Sequence, residues 1–97
     1  MLVLITYDVN VQSESGQRRL RQVAKICVNY GQRVQNSVFE CALDPAQFVN
    51  IKSELAAVID AKRDSLRFYK LGKHWENRVE TLGKSEAYHP TRDPFVF

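Results

Sequence analysis

An aspartate closes the first apolar run of the chain. Leu2-Val3-Leu4-Ile5-Thr6-Tyr7 is aliphatic, β-branched and aromatic, and Asp8 follows it where a polar stretch begins. An ionised carboxylate is costly to bury unpaired, so Asp8 requires water, a cationic partner or a metal ion. Two readings are open. Asp8 either starts a turn and accepts loop amides, or it serves a site, because sheet proteins place chemistry in the loops at strand ends. Between Ser15 and Gln35 stand Arg18, Arg19, Arg21, Lys25 and Arg33, with no acid among them. A guanidinium grips phosphate bidentately, so this segment carries the footprint of a nucleic-acid or phosphate binder, unless it is only a solvated helix face.

An acid beside a basic segment suits phosphodiester hydrolysis. A divalent metal would activate a water and neutralise phosphate charge while Arg18, Arg19 and Arg33 hold phosphates. Magnesium, or another divalent cation such as manganese, favours oxygen ligands and commonly takes one or two carboxylates. One Asp8 is therefore a thin site, and a twofold dimer that apposed two copies would supply the second carboxylate. Tyr7 and Phe39 stand near the same strand ends and either pack in the core or support the site by stacking on a base. Ser37 either donates to a phosphate or satisfies backbone. His74 and His89 read as surface histidines, Trp75 as a packing anchor, and Asp44 as a helix cap. The direction of Glu40 depends on local strand geometry.

The elements that must position these groups are legible in outline. Leu2 to Asp8 is a strand; Val3, Ile5 and Tyr7 share one face of it, and Leu4, Thr6 and Asp8 the other. Ser13 and Ser15 are candidate caps of a helix whose buried stripe is Leu20, Val23, Ala24 and Cys27, with Arg18, Arg21 and Lys25 on another face. Tyr30-Gly31 ends that helix, with Gly31 as a left-handed terminal residue. Residues 33–43 are long for a strand, and the polar Gln35-Asn36-Ser37 step suggests a bulge. Asp44-Pro45-Ala46-Gln47 opens a second helix with stripe Phe48, Ile51, Leu55, Val58 and Ile59. Residues 65–71 form a third strand, and a shorter one is expected near 78–82. If 33–43 splits at its bulge or forms a hairpin, the order is β-α-β-β-α-β; if it stays whole, it is β-α-β-α-β-β. The favoured reading is an α+β, ferredoxin-like antiparallel sheet with both helices on one face. Its open face, carrying Leu4, should be a contact surface, so a homodimer is expected. The tail ends Pro94-Phe95-Val96-Phe97, which should add to a sheet edge, its own or a partner's.

Ninety-seven residues, 44% hydrophobic and 26% charged, are enough for one small domain with a modest core, here residues 1–82 followed by a tail of 83–97. No apolar stretch approaches the roughly 18 residues of a membrane span, and no secretory signal is visible, so the cytoplasm is expected. Cys27 and Cys41 have no metal-ligand spacing and read as reduced, buried small hydrophobes. Walker loops, GxGxxG, HExxH, GxSxG and the aromatic submotif of RNA-recognition domains are absent from the sequence.

The combination of Leu4-Ile5-Thr6-Tyr7-Asp8-Val9, an Arg-bearing helix ending in Tyr30-Gly31, and Arg33-Val34-Gln35-Asn36-Ser37-Val38-Phe39-Glu40 resembles the second universal CRISPR-associated protein family, small ferredoxin-like members of the spacer-acquisition module. The resemblance is strong over the first 43 residues and rests on length and order beyond them. It implies a homodimer with a metal site formed by Asp8 of each subunit, and metal-dependent cleavage of RNA or duplex DNA in some members. It implies equally a scaffold role in others, in which the dimer bridges the CRISPR adaptation integrase and its basic surface holds duplex DNA. The family's helix arginine maps to Arg18 or Arg19, its second-strand Ser and Phe map to Ser37 and Phe39, and its partner-pairing C-terminal strand would be Phe95-Val96-Phe97. The stretch 76–93 departs from the pattern, which leaves integrase contacts undefined.

Overall fold

The computed structural model describes residues 1–72 together with Glu80 and Leu82. In chain order its elements are β1 (Leu2–Asp8), α1 (Glu14–Val28), β2 (Gly31–Gln35), β3 (Val38–Ala42), α2 (Pro45–Ala56) and β4 (Ser65–Gly72). Residues 33–43 do split, so the order is β-α-β-β-α-β. The strands form one sheet, β2-β3-β1-β4, in which every neighbouring pair is antiparallel. This is the ferredoxin-like arrangement: β1 is central, held by β3 on one edge and β4 on the other. The further strand expected near 78–82, apart from Glu80 and Leu82, lies outside the described residues, as do His74, Trp75, His89 and the tail from 88 onward.

Each element follows from local chemistry. Ser13 caps α1, its hydroxyl accepting from the Gly16 amide at 3.0 Å, which satisfies a donor left over at the helix start. Asp44 caps α2 in a full capping box with Gln47, and Pro45 occupies the first turn, where its missing N–H is harmless. Val23, Ala24 and Cys27 from α1 and Phe48, Ile51 and Leu55 from α2 meet Val3, Ile5, Tyr7, Phe39 and Cys41 of the sheet in one buried cluster. Both helices therefore cover the same face. Val58 and Ile59 lie just past the end of α2, and both amides bond to the Leu55 carbonyl, so they extend the same stripe in a turn and pack against the core. Both cysteines are buried thiols; burial pushes each up to about 12, which keeps them protonated. No helix among the described residues is long and apolar enough to cross a membrane.

One local expectation needs correction. Gly31 is not a left-handed helix terminus. The helix ends at Asn29 with φ −71°, and among the described residues the left-handed glycine is Gly72, at φ 79°. Gly31 instead begins β2, where a Cβ would lie 2.1 Å from the Glu40 carbonyl oxygen and 2.6 Å from the Cys41 Cα. Glycine is needed for close approach of two backbones, not for its dihedral freedom. The irregularity expected in residues 33–43 is present as a register shift between Arg33 and Gln35, and beside it Asn36 and Ser37 form a two-residue turn that splits the run into a hairpin. None of the described non-glycine residues has positive φ, so this turn lacks the backbone twist that best matches a hairpin, and the bulge takes up the mismatch.

Two stability outcomes follow. Gly31→Ala should destabilise the fold by about 2 kcal/mol, because the added methyl meets rigid backbone on the facing strand; urea unfolding measures it, and a wild-type midpoint would contradict the close-approach reading. Asp44→Ala should lower stability by about 1 kcal/mol through loss of the cap, with unchanged far-ultraviolet circular dichroism at low temperature.

Candidate active site

Asp8 is the last residue of β1 and alternation decides where it points. Val3 and Ile5 are fully buried and Tyr7 is 3% exposed beneath the helices, so Leu4, Thr6 and Asp8 face away from them. In register, Leu4 lies opposite Tyr69, Thr6 opposite Arg67 and Asp8 opposite Ser65 of β4. On the other edge Leu4 lies opposite Glu40 and Thr6 opposite Val38 of β3. Glu40 is thereby placed on the open face, where partial burial raises its carboxyl above the usual range.

Two grooves meet at the Asp8 carboxylate. One lies on the open face and is lined by Thr6, Tyr7, Asp8, Ser37, Ser65, Arg67 and Tyr69. The other lies between the end of β1, α1 and the β2–β3 turn, and its polar walls are Asp8, Gln17, Arg21, Arg33, Asn36 and Ser37. Tyr7, Asp8 and Ser37 border both. Arg67 stands on one side of this divide, with Arg21 and Arg33 on the other. Contact with Tyr69, and more weakly the charge of Asp8, hold the Arg67 guanidinium in its charged form.

Beneath Asp8 sits a polar network that sequence reasoning missed. The Asp64 side chain is fully buried and receives a bidentate grip from Arg19, Nε to Oδ2 at 2.8 Å and a terminal nitrogen to Oδ1 at 3.1 Å. The Tyr7 hydroxyl donates to the same Oδ2, and the Asp60 amide donates to it at 3.0 Å. Burial alone would push the Asp64 carboxyl up, but hydrogen bonds from Arg19, Tyr7 and the Asp60 amide outweigh it, with help from the Arg19 charge, and leave it below the usual carboxylate value. Burial first, then its bond to Asp64, pushes the Tyr7 phenol up to about 12. The Arg19 guanidinium is held more firmly in its charged form by Asp64.

The residues that the sequence singles out therefore divide by location. Arg19 is committed to Asp64 and turned inward, because it stands four residues before Val23 and eight before Cys27 on the buried stripe of α1. Arg18 is exposed but lines neither groove. Arg33 lines the outer groove; its guanidinium donates twice to the Asn36 carbonyl, at 2.9 and 2.6 Å, and lies 5.8 Å over the Phe39 ring. Phe39 is fully buried, so stacking on a base is closed to it; it supports Arg33 from below. Tyr7 is likewise too buried to stack, and its hydroxyl is committed to Asp64. The Ser37 carbonyl accepts the Tyr7 amide at 2.9 Å, which ties the turn to the strand end. Arg21, Arg67 and Asp64 join the neighbourhood although the sequence does not mark them as site residues. Two signals point their way: a strand tyrosine facing a core, whose hydroxyl needs a partner, and helical spacing that separates Arg19 from Arg21. Among the described residues no group of three or more His, Cys, Asp or Glu side chains could hold a metal. The donors on hand are all oxygen: the Asp8 carboxylate with the hydroxyls of Ser37, Ser65 and Thr6, a hard-donor set that suits magnesium or manganese and would need waters or further carboxylates to complete it.

Comparisons with known proteins agree on one family. The model of the family described as CRISPR associated protein Cas2 matches residues 1–79. The "CRISPR-associated endoribonuclease Cas2" of Chlorobaculum tepidum is 60% identical over 86 residues, covering 89% of this chain and 90% of its own length. The "CRISPR-associated endonuclease Cas2" of Halalkalibacterium halodurans is 53% identical across the full length of both chains. Among solved structures, Streptococcus pyogenes Cas2 at pH 6.5 superposes with a TM-score of 0.80 at 65% identity, covering 86% of this chain and 100% of that one. The strand ending in Tyr7-Asp8, the fold that presents Asp8 on the open face and these matches lead to one assignment: the chain belongs to the CRISPR-associated Cas2 family.

Proposed function

We propose that this protein is a homodimeric, magnesium-dependent endonuclease that hydrolyses phosphodiester bonds of RNA or DNA in CRISPR spacer acquisition. The observation that carries this reading is the exposed Asp8 carboxylate at the junction of two grooves, with Arg67 on one side and Arg21 and Arg33 on the other. The names of the relatives, endoribonuclease and endonuclease, support the same chemistry.

Asp8 of each of two subunits would hold the divalent ion, which when bound supplies activation of water and neutralisation of phosphate charge. The chain's own residues do the rest. Arg21 and Arg33 draw the polynucleotide backbone into the outer groove, and Arg67 presents a positive charge beside Asp8 on the face a second subunit would cover. Ser37 borders both grooves, and in this reading its hydroxyl donates to a phosphate oxygen. The work is assigned to the cytoplasm.

A second reading draws on the single carboxylate per chain: a non-catalytic dimer that bridges copies of the CRISPR adaptation integrase and retains duplex DNA through the same arginines. The two readings part at Asp8. Asp8→Asn should lower magnesium-stimulated cleavage of RNA or DNA by about 100-fold or more, while stability shifts by no more than about 0.5 kcal/mol because the residue is exposed. Full metal-stimulated cleavage by the variant would overturn the nuclease reading; integrase binding and spacer insertion that survive the substitution would favour the bridge. Under either reading, Arg21→Ala and Arg33→Ala should each weaken duplex binding and flatten the slope of log affinity against log salt by about 0.9, measured by fluorescence anisotropy across a salt series.

A further inference from the structure

The structure assigns Asp64 a role it shares with no other acid among the described residues: it is a positioning residue for Asp8. The consequence for cleavage rests on the nuclease reading, although the geometry stands apart from it. Strand ends fray, because their terminal pairs have neighbours on one side only, and Asp8 is such a terminal residue.

Three connections hold that end in place. The Tyr7 amide donates to the Ser37 carbonyl at 2.9 Å, fixing it to the β2–β3 turn. The Tyr7 hydroxyl donates to Asp64. Asp64 directly precedes Ser65, which is the register partner of Asp8. Asp64 is itself held by Arg19 of α1 and by the Asp60 amide. One buried carboxylate thus joins the end of β1, the start of β4, α1 and the loop before β4 at the place where the Asp8 side chain emerges.

A buried ion pair is a poor stabiliser compared with apolar side chains of equal volume, because desolvating both charges offsets much of their attraction. What it supplies is directional geometry. A shared metal site tolerates ligand displacement of only about 0.5 Å, and a fixed Tyr7 sets the backbone from which Asp8 projects. Tyr7 points in and Asp8 points out, so the network acts on the metal-facing carboxylate without touching it.

The test compares wild type with Tyr7→Phe and Asp64→Asn. Tyr7→Phe removes one hydroxyl, leaves the Arg19–Asp64 pair intact, and so keeps the experiment informative if Asp64→Asn does not fold. Three quantities are measured: amide hydrogen exchange of Tyr7 and of Ile5 without metal, Mn2+ affinity by electron paramagnetic resonance, and kcat and KM for cleavage. The expected result is exchange at the amide of position 7 at least tenfold faster with Ile5 unchanged, Mn2+ binding at least fivefold weaker, and kcat at least tenfold lower at an unchanged KM. Folded variants with wild-type protection at position 7 and wild-type Mn2+ affinity would overturn the role, as would exchange accelerated equally at position 7 and Ile5, the mark of a general stabiliser. If wild type does not cleave, or Asp8→Asn cleaves as well as wild type, the nuclease reading fails while exchange and Mn2+ binding still decide the role of Asp64.

Discussion

Tyr7 and Asp8 are neighbours on one strand and face opposite ways. That alternation, enforced by the pleat of an extended backbone, is the constraint on which the rest of the molecule depends. Tyr7 goes under the helices and is used for anchoring; Asp8 goes to the open face and is available for chemistry. Because β1 is central in the sheet, both edges of the strand can be fastened, by Ser37 on one side and by the segment Asp64-Ser65 on the other. A carboxylate on an edge strand would have one such fastening. A slip of one residue in register would exchange the roles of Tyr7 and Asp8, burying an acid and exposing a phenol, so the fold and the site are specified together.

The basic residues are distributed by the same logic. Arg19 is spaced with the apolar stripe of α1 and is consumed by a buried acid, whereas Arg21, two positions on, turns toward the groove beside Asp8. Arg33 is half structural: it braces the turn through the Asn36 carbonyl while its position over Phe39 keeps its charge at the groove wall. Arg67 comes from β4 and shares the open face with Asp8 because Thr6 is its register partner. Positive charge therefore reaches the neighbourhood of the acid from three separate elements, α1, β2 and β4.

Much of this was legible in the residues. The alternation of β1, the cap chemistry of Asp44-Pro45-Ala46-Gln47 and the stripes of both helices are local patterns, and local patterns survive folding when packing agrees with them. The second strand was harder, because a polar step in a β-forming run fits a bulge, a hairpin or both, and here it is a turn with a register shift beside it. Gly31 departs from its local pattern for a similar reason: glycine after a helix usually serves its dihedral freedom, and here it serves close approach to Glu40 and Cys41. Asp64 was invisible because its partners are 45 and 57 residues away; no local rule announces a long-range ion pair, although an inward-facing tyrosine hydroxyl demands some acceptor. Arg67 was hidden likewise, since only the pairing of β1 with β4 brings it beside Thr6.

The proposed nuclease requires two subunits to share one divalent ion between their Asp8 carboxylates. Its most direct test is the stoichiometry of Mn2+ binding, by calorimetry or paramagnetic titration, on the wild-type protein and on Asp8→Asn. One ion for every two chains, abolished by the substitution, is the expected result. One ion per chain, or binding that Asp8→Asn leaves intact, would contradict it.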